Sequence, residues 1–161
     1  MKKREKEIFN KKREKEIFNP YIQFKDKVET WQEAIQCAAQ PLLENGLIEE
    51  RYIDAMIQNV IEHGEYIILV PKVALPHARP ESGAKGTAVS ILRLEKAVAF
   101  SETEDVSLII CLATRNNTEH LELLTQLSSL IDDEEKVELL LGIKEKQAFI
   151  EKANEIIQKE T

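Results

Sequence analysis

Two kinds of apolar spacing divide this chain. Trp31, Ala34, Ile35, Ala38 and Leu42 recur every three or four positions, and so do Tyr52, Ile53, Met56, Ile57, Val60 and Ile61. That is the spacing of helices with one buried face. Thr30-x-x-Glu33 precedes the first stripe as a capping box. Pro41 is expected to kink or end that helix, and Asn45-Gly46 to stop it. The second helix is expected from about Glu49 to His63, ended by Gly64. Shorter apolar runs predict strands at Ile22–Val28, Tyr66–Val70, Val73–Leu75 and Thr87–Leu94. Val106–Ala113 is almost wholly apolar, as a central strand covered on both faces would be. Three more helical stripes follow, at about Thr118–Ile131, Asp133–Leu141 and Lys144–Gln158. Strands flanked by helices on either side in sequence predict an α/β fold, a three-layer α/β/α sandwich.

The N-terminus stands apart from this pattern. Lys2–Asn10 reads KKREKEIFN and Lys11–Asn19 repeats it letter for letter. A nine-residue shift at ~100° per residue puts the two Ile-Phe pairs on opposite sides of a helix, so one face cannot bury both. Residues 1–19 are therefore read as a duplicated charged extension with its first copy frayed, and residues 20–161 as one domain. A basic tail touching membrane or nucleic acid is the alternative.

Charge sharpens this division. The net charge is -7, but residues 1–19 hold eight basic and four acidic side chains, leaving 14 basic and 25 acidic ones in the body. A body of net charge -11 repels phosphate backbones, which argues against nucleic acid as its partner and for a basic protein. No apolar run approaches the ~20 residues of a membrane-spanning helix, and the charged start has no apolar signal region. Cys37 and Cys111 lie far apart in apolar stretches, without CxxC spacing, and read as reduced core thiols. A cytoplasmic protein is the expectation.

The chain has three histidines. His77 lies between Pro76 and Pro80, which excludes a regular helix or central strand there. The segment Pro71–Pro80 is expected to be a stiff loop leaving the strand Tyr66–Val70. Such a loop could hold an imidazole for in-line phosphoryl transfer, or simply tie it to the backbone. His120 falls in the first turn of a helix on the face of Leu124, Leu127 and Ile131, so it points inward at the protein's edge. A helix N-terminus disfavours imidazolium and offers N–H groups to an anion. His120 is thus either a neutral donor beside a phosphoryl group or a half-buried histidine satisfied by a carbonyl. His63, just before Gly64, reads as a C-terminal capping residue. Glu102, Glu104 and Asp105 read as a solvated loop, and Asp132–Glu135 as the acidic start of a helix. No Walker, dinucleotide, HExxH, Cys/His metal or GxSxG pattern occurs. Neither metal nor cofactor is expected.

The run Val73-Ala74-Leu75-Pro76-His77-Ala78-Arg79-Pro80-Glu81 resembles the active-site signature of the phosphotransferase-system IIA components of the mannitol/fructose type, in particular the ascorbate-type branch. Pro41–Gly46 through Tyr52–Ile57 and Asn116–Leu124 are similar to that branch as well. The resemblance spans roughly Ile22 to Ile156. It implies a mixed sheet flanked by helices and a phosphoryl relay. His77 would accept the group from the phosphorylated histidine carrier protein and pass it to a cysteine of a IIB component. His120 would match the family's second active-site histidine, and Arg79 would be a phosphate contact. The sugar implied is ascorbate or a related sugar acid. A regulatory module controlled by its phosphorylation state, and a IIA-like binding domain without transfer, are the alternatives. Mannitol- and nitrogen-type members carry an arginine about 16 positions before the active histidine; counting back reaches Ile61 here. Lys72 stands where a glycine is common.

Overall fold

The computed structural model describes residues 18–68 and 70–159. The first repeat and most of the second lie outside them. Four strands form one mixed sheet, β1 (Tyr21–Lys25), β2 (Lys72–Ala74), β3 (Ala88–Ala99) and β4 (Asp105–Ala113), in the order β1-β3-β4-β2. β1 runs parallel to β3, β3 antiparallel to β4, and β4 parallel to β2. Helices α1 (Trp31–Glu44) and α2 (Glu50–His63) cover one face; α3 (Asn117–Ile131), α4 (Glu134–Leu141) and α5 (Lys146–Lys159) cover the other.

Strand alternation builds two cores. Leu92, Ile109 and Cys111 pack with α1 and α2, while their neighbours Ile91, Ile110 and Leu112 pack with α3, α4 and α5. β4 is covered on both sides, so seven of its nine residues are apolar and buried, as its unbroken apolar run predicts. Burial pushes the Cys111 thiol up to about 12, consistent with an inert core cysteine. The body reaches back to Phe18, which is buried and exchanges backbone bonds with the Asn154 amide on α5 at 2.9 and 2.7 Å.

The capping residue of α1 is Thr30, whose Oγ1 accepts from Glu33 N–H at 3.1 Å. Glu33 closes the box one residue early, accepting from Glu29 N–H at 2.8 Å. Pro41 does not end α1, which continues to Glu44. Proline has no N–H for the Cys37 carbonyl, and Gln23 Nε2 from β1 donates to that carbonyl instead, at 2.7 Å. Gly46, with φ 70°, turns the chain out of the helix.

The segment Tyr66–Val70 departs from expectation. It is not a strand. A turn of 3-10 helix spans Gly64–Ile67, and Val70 makes only an isolated bridge to Val73. Five apolar residues do not distinguish a strand from a buried turn. The strand beside β4 is β2, entered through Lys72 in the left-handed region at φ 74°. Glycine takes that conformation without strain; here Lys72 Nζ pairs with Glu138 at 2.5 Å.

Candidate functional site

β2 and β4 are parallel neighbours, so their C-terminal ends emerge at the same edge of the sheet. The loop after β2 carries His77. The turn after β4 leads into α3, whose first turn carries His120. The sheet topology therefore brings together two histidines 43 positions apart in sequence: their rings tilt by 47° with centroids 5.3 Å apart.

The His77 loop leaves β2, not Tyr66–Val70, and it is fixed nearly residue by residue. Leu75 N–H donates to the Ile67 carbonyl at 2.9 Å, and Leu112 N–H donates to the Pro76 carbonyl at 3.3 Å. Asn59 Nδ2, from α2, donates to the His77 carbonyl at 3.3 Å. Ala78 N–H donates to the Tyr52 hydroxyl at 3.1 Å, and that hydroxyl in turn donates to the Leu112 carbonyl at 2.7 Å. Tyr52 is 1% exposed, so these bonds form away from water. Gly83 closes the loop. At φ 127° its Cα lies against Tyr52, where a Cβ would meet the Tyr52 backbone nitrogen at 3.3 Å.

The His77 ring is half-buried, with Nδ1 2.7 Å from the Leu75 carbonyl. A carbonyl only accepts, so Nδ1 carries the proton. Nε2 then holds the lone pair. An imidazole held through Nδ1 in this way offers Nε2 as its nitrogen nucleophile.

Asn116 caps α3, its side chain accepting from Glu119 N–H at 2.9 Å. Glu119 also binds Arg115 at 2.5 Å and Thr87, which ties the start of α3 to β3 and β4. Those partners hold the Glu119 carboxyl down to about 2, Arg115 first. His120 is half-buried one residue further, with Nδ1 3.4 Å from Thr114 Oγ1. Burial first, and the nearby His77 second, lower its affinity for a proton. It faces His77 as a neutral ring.

Both rings open onto a pocket of about 450 Å³ lined also by Asn59, His63, Ala78, Arg79, Pro80, Ser82 and Asn117. Arg79 is exposed at its rim. Ile61 takes no part: it is 60% exposed on another side of α2. The residues that α2 presents to the pocket are Asn59 and His63. Sequence reasoning passed over Tyr52 and Asn59, and assigned His63 only to capping. A tyrosine in a buried helical stripe was the available signal, because its hydroxyl needs a partner. Among the described residues, no group of three or more His, Cys, Asp or Glu could hold a metal, and no helix is long and apolar enough to cross a membrane.

Two imidazoles, one held through its Nδ1 and the other partly buried, thus face each other across an open pocket at one edge of a mixed α/β/α sandwich. Residues 16–156 match the family described as phosphoenolpyruvate-dependent sugar phosphotransferase system, EIIA 2. The ascorbate-specific phosphotransferase-system EIIA component of Escherichia coli (strain K12) is 31% identical over 133 residues, 81% of this chain and 86% of that protein. The mannitol-specific cryptic phosphotransferase enzyme IIA component of the same organism is 42% identical over 112 residues, 69% of this chain and 76% of that protein. The solution structure of mannitol enzyme IIA from Escherichia coli in complex with phosphorylated enzyme IIB superposes with a TM-score of 0.69 at 27% identity, covering 86% of this chain and 94% of that one. The chain belongs to the EIIA 2 family of the phosphoenolpyruvate-dependent sugar phosphotransferase system. It is a phosphotransferase, a phosphoryl-relay subunit of a sugar-transport system.

Proposed function

We propose that His77 carries the phosphoryl group, on Nε2. The observation behind this reading is the 2.7 Å bond from Nδ1 to the Leu75 carbonyl, which leaves the Nε2 lone pair toward the pocket. The donor is the phosphorylated histidine carrier protein. Its phosphorus–nitrogen bond breaks as the bond to Nε2 forms, while the Nδ1 proton stays on nitrogen, hydrogen-bonded to the Leu75 carbonyl. The group then leaves Nε2 for a cysteine thiolate of a IIB component, with a phosphorus–sulfur bond replacing the phosphorus–nitrogen bond. The solved mannitol complex with phosphorylated IIB supports that partner.

His120 donates a hydrogen bond to the transferring oxygens. Its neutral form suits this role, since a neutral donor gives up the departing group more readily than a cation would. Arg79, at the rim, contacts the phosphate. The transported substrate is ascorbate or a related sugar acid, supported by the local signature and by the ascorbate-specific relative; mannitol, named for the other relative, is the competing class. The subunit acts in the cytoplasm, through one folded unit that includes Phe18 and runs to α5. Relay is favoured over a regulatory role by the sugar-specific names of the relatives and by the solved complex of a IIA with its phosphorylated IIB.

The test is intact-mass measurement after incubation with phosphoenolpyruvate, enzyme I and the carrier protein. The native protein is expected to gain one acid-labile phosphoryl group and His77→Ala none. A His77→Ala protein that still gained the group would overturn the assignment.

A further inference from the structure

The face that α2 turns toward the site raises a separate point. Asn59 and His63 are four residues apart and share that face, and both line the pocket. Asn59 ties the face to the His77 backbone at 3.3 Å. The chain holds 29 acidic residues, yet no carboxylate lines this pocket, whereas all three of its histidines do. A pocket cleared of acids in an acidic protein is arranged for an anion. The two flanking histidines also sit at helix ends of opposite sign. His120 is at the N-terminus of α3, where a cation is disfavoured; His63 is the last residue of α2, where a cation is favoured. The phosphoryl group brings up to about two negative charges at pH 7. Ile61 points away and supplies no counter-charge.

We propose that His63 is a third phosphoryl-binding side chain of this site, an imidazolium that pairs from the end of α2 with the oxygens of the group on His77. This rests on the reading of His77 as the phosphorylated residue. His63 takes its proton from solvent as the dianion arrives, so the phosphorylated state is stabilised at lower pH. Among the described side chains, Glu62 lies 3.9 Å away on its own helix, and His77 and Arg79 on the loop and His120 on α3 line the same pocket. Glu62 is present in both states. The phosphoryl group is what changes.

The experiment follows the three imidazole rings by nuclear magnetic resonance through a pH titration, with and without phosphorylation by the general system components. The midpoint for the His63 ring should rise by about one pH unit or more on phosphorylation, the size expected for an opposite charge within ~4–6 Å. In parallel, His63→Gln should lose about tenfold in phosphoryl transfer at pH 6 and less at pH 8, a pH dependence that a merely structural residue would not produce. The ring is 64% exposed, so the variant keeps the fold, which its amide spectrum checks. An unmoved His63 midpoint in protein phosphorylated on His77, or a wild-type rate and pH profile in His63→Gln, overturns this inference and leaves the role of His77 standing. Phosphorylation of His77→Ala overturns both.

Discussion

Removing one oxygen atom, in Tyr52→Phe, should disturb the site without touching any reacting group. The ring stays, so no cavity opens. What goes is the hydroxyl that accepts from Ala78 N–H at 3.1 Å and donates to the Leu112 carbonyl at 2.7 Å. Ala78 is 4% exposed, so its N–H has no water to turn to. Leaving a buried donor unsatisfied costs about 1–3 kcal/mol. For a chain of this size 1 kcal/mol corresponds to roughly 2–4 °C in Tm, so a cost near ~2 kcal/mol predicts a fall of roughly 4–8 °C. The kinetic effect comes from the same bonds, since Ala78 follows His77 directly. A phosphoacceptor displaced by ~1 Å can lose about 10²-fold in rate, so the variant should transfer at least about tenfold more slowly. Calorimetry gives the first number and rapid-quench phosphorylation by the carrier protein the second. A Tm within ~1 °C of the native protein together with an unchanged rate would refute the argument that Tyr52 holds the loop.

Lys72→Gly should relieve the left-handed backbone at φ 74° and lose only an exposed ion pair with Glu138, so Tm should rise by roughly 2–4 °C; a fall would show that the pair outweighs the strain. His120→Ala should slow transfer by about 10²–10³-fold with carrier binding retained, and His120→Gln, which keeps a donor, should recover part of that; wild-type rates in both would make His120 a packing residue. His120 also predicts a pH effect on stability. Its folded state binds the proton less readily than the ordinary value of 6.5, because of burial and His77, so its contribution is present above that pH and lost as pH falls through it. Native protein should therefore lose stability relative to His120→Gln on acidification from about pH 7.5 to 5, and a difference in Tm independent of pH would contradict this.

The layers and most elements of this fold are legible in the sequence because periodicity reports which face is buried. β4 and the stripes of α1 and α2 carry that signal without ambiguity. Tyr66–Val70 does not: its apolar run serves a 3-10 turn whose Ile67 carbonyl anchors Leu75. That Pro41 does not end α1 has a different reason. Its cost depends on whether the Cys37 carbonyl finds another donor, and Gln23 lies on a distant strand. At the site, His77 and His120 can be singled out by local context, a proline bracket and a helical face. Their meeting depends on β2 and β4 being parallel neighbours, which a linear reading does not contain. Counting back a fixed interval from His77 reaches Ile61, whereas the residues facing the pocket are set by the rotation of α2 about its axis and are Asn59 and His63.

The central claim is that the phosphoryl group sits on one particular atom. The most direct measurement is phosphorus–nitrogen correlation in uniformly nitrogen-15-labelled protein phosphorylated by phosphoenolpyruvate, enzyme I and the carrier protein. The bond from Nδ1 of His77 to the Leu75 carbonyl predicts a single phosphorus resonance coupled to Nε2 of His77, with Nδ1 still protonated. Coupling to Nδ1, or to either nitrogen of His63 or His120, would contradict it.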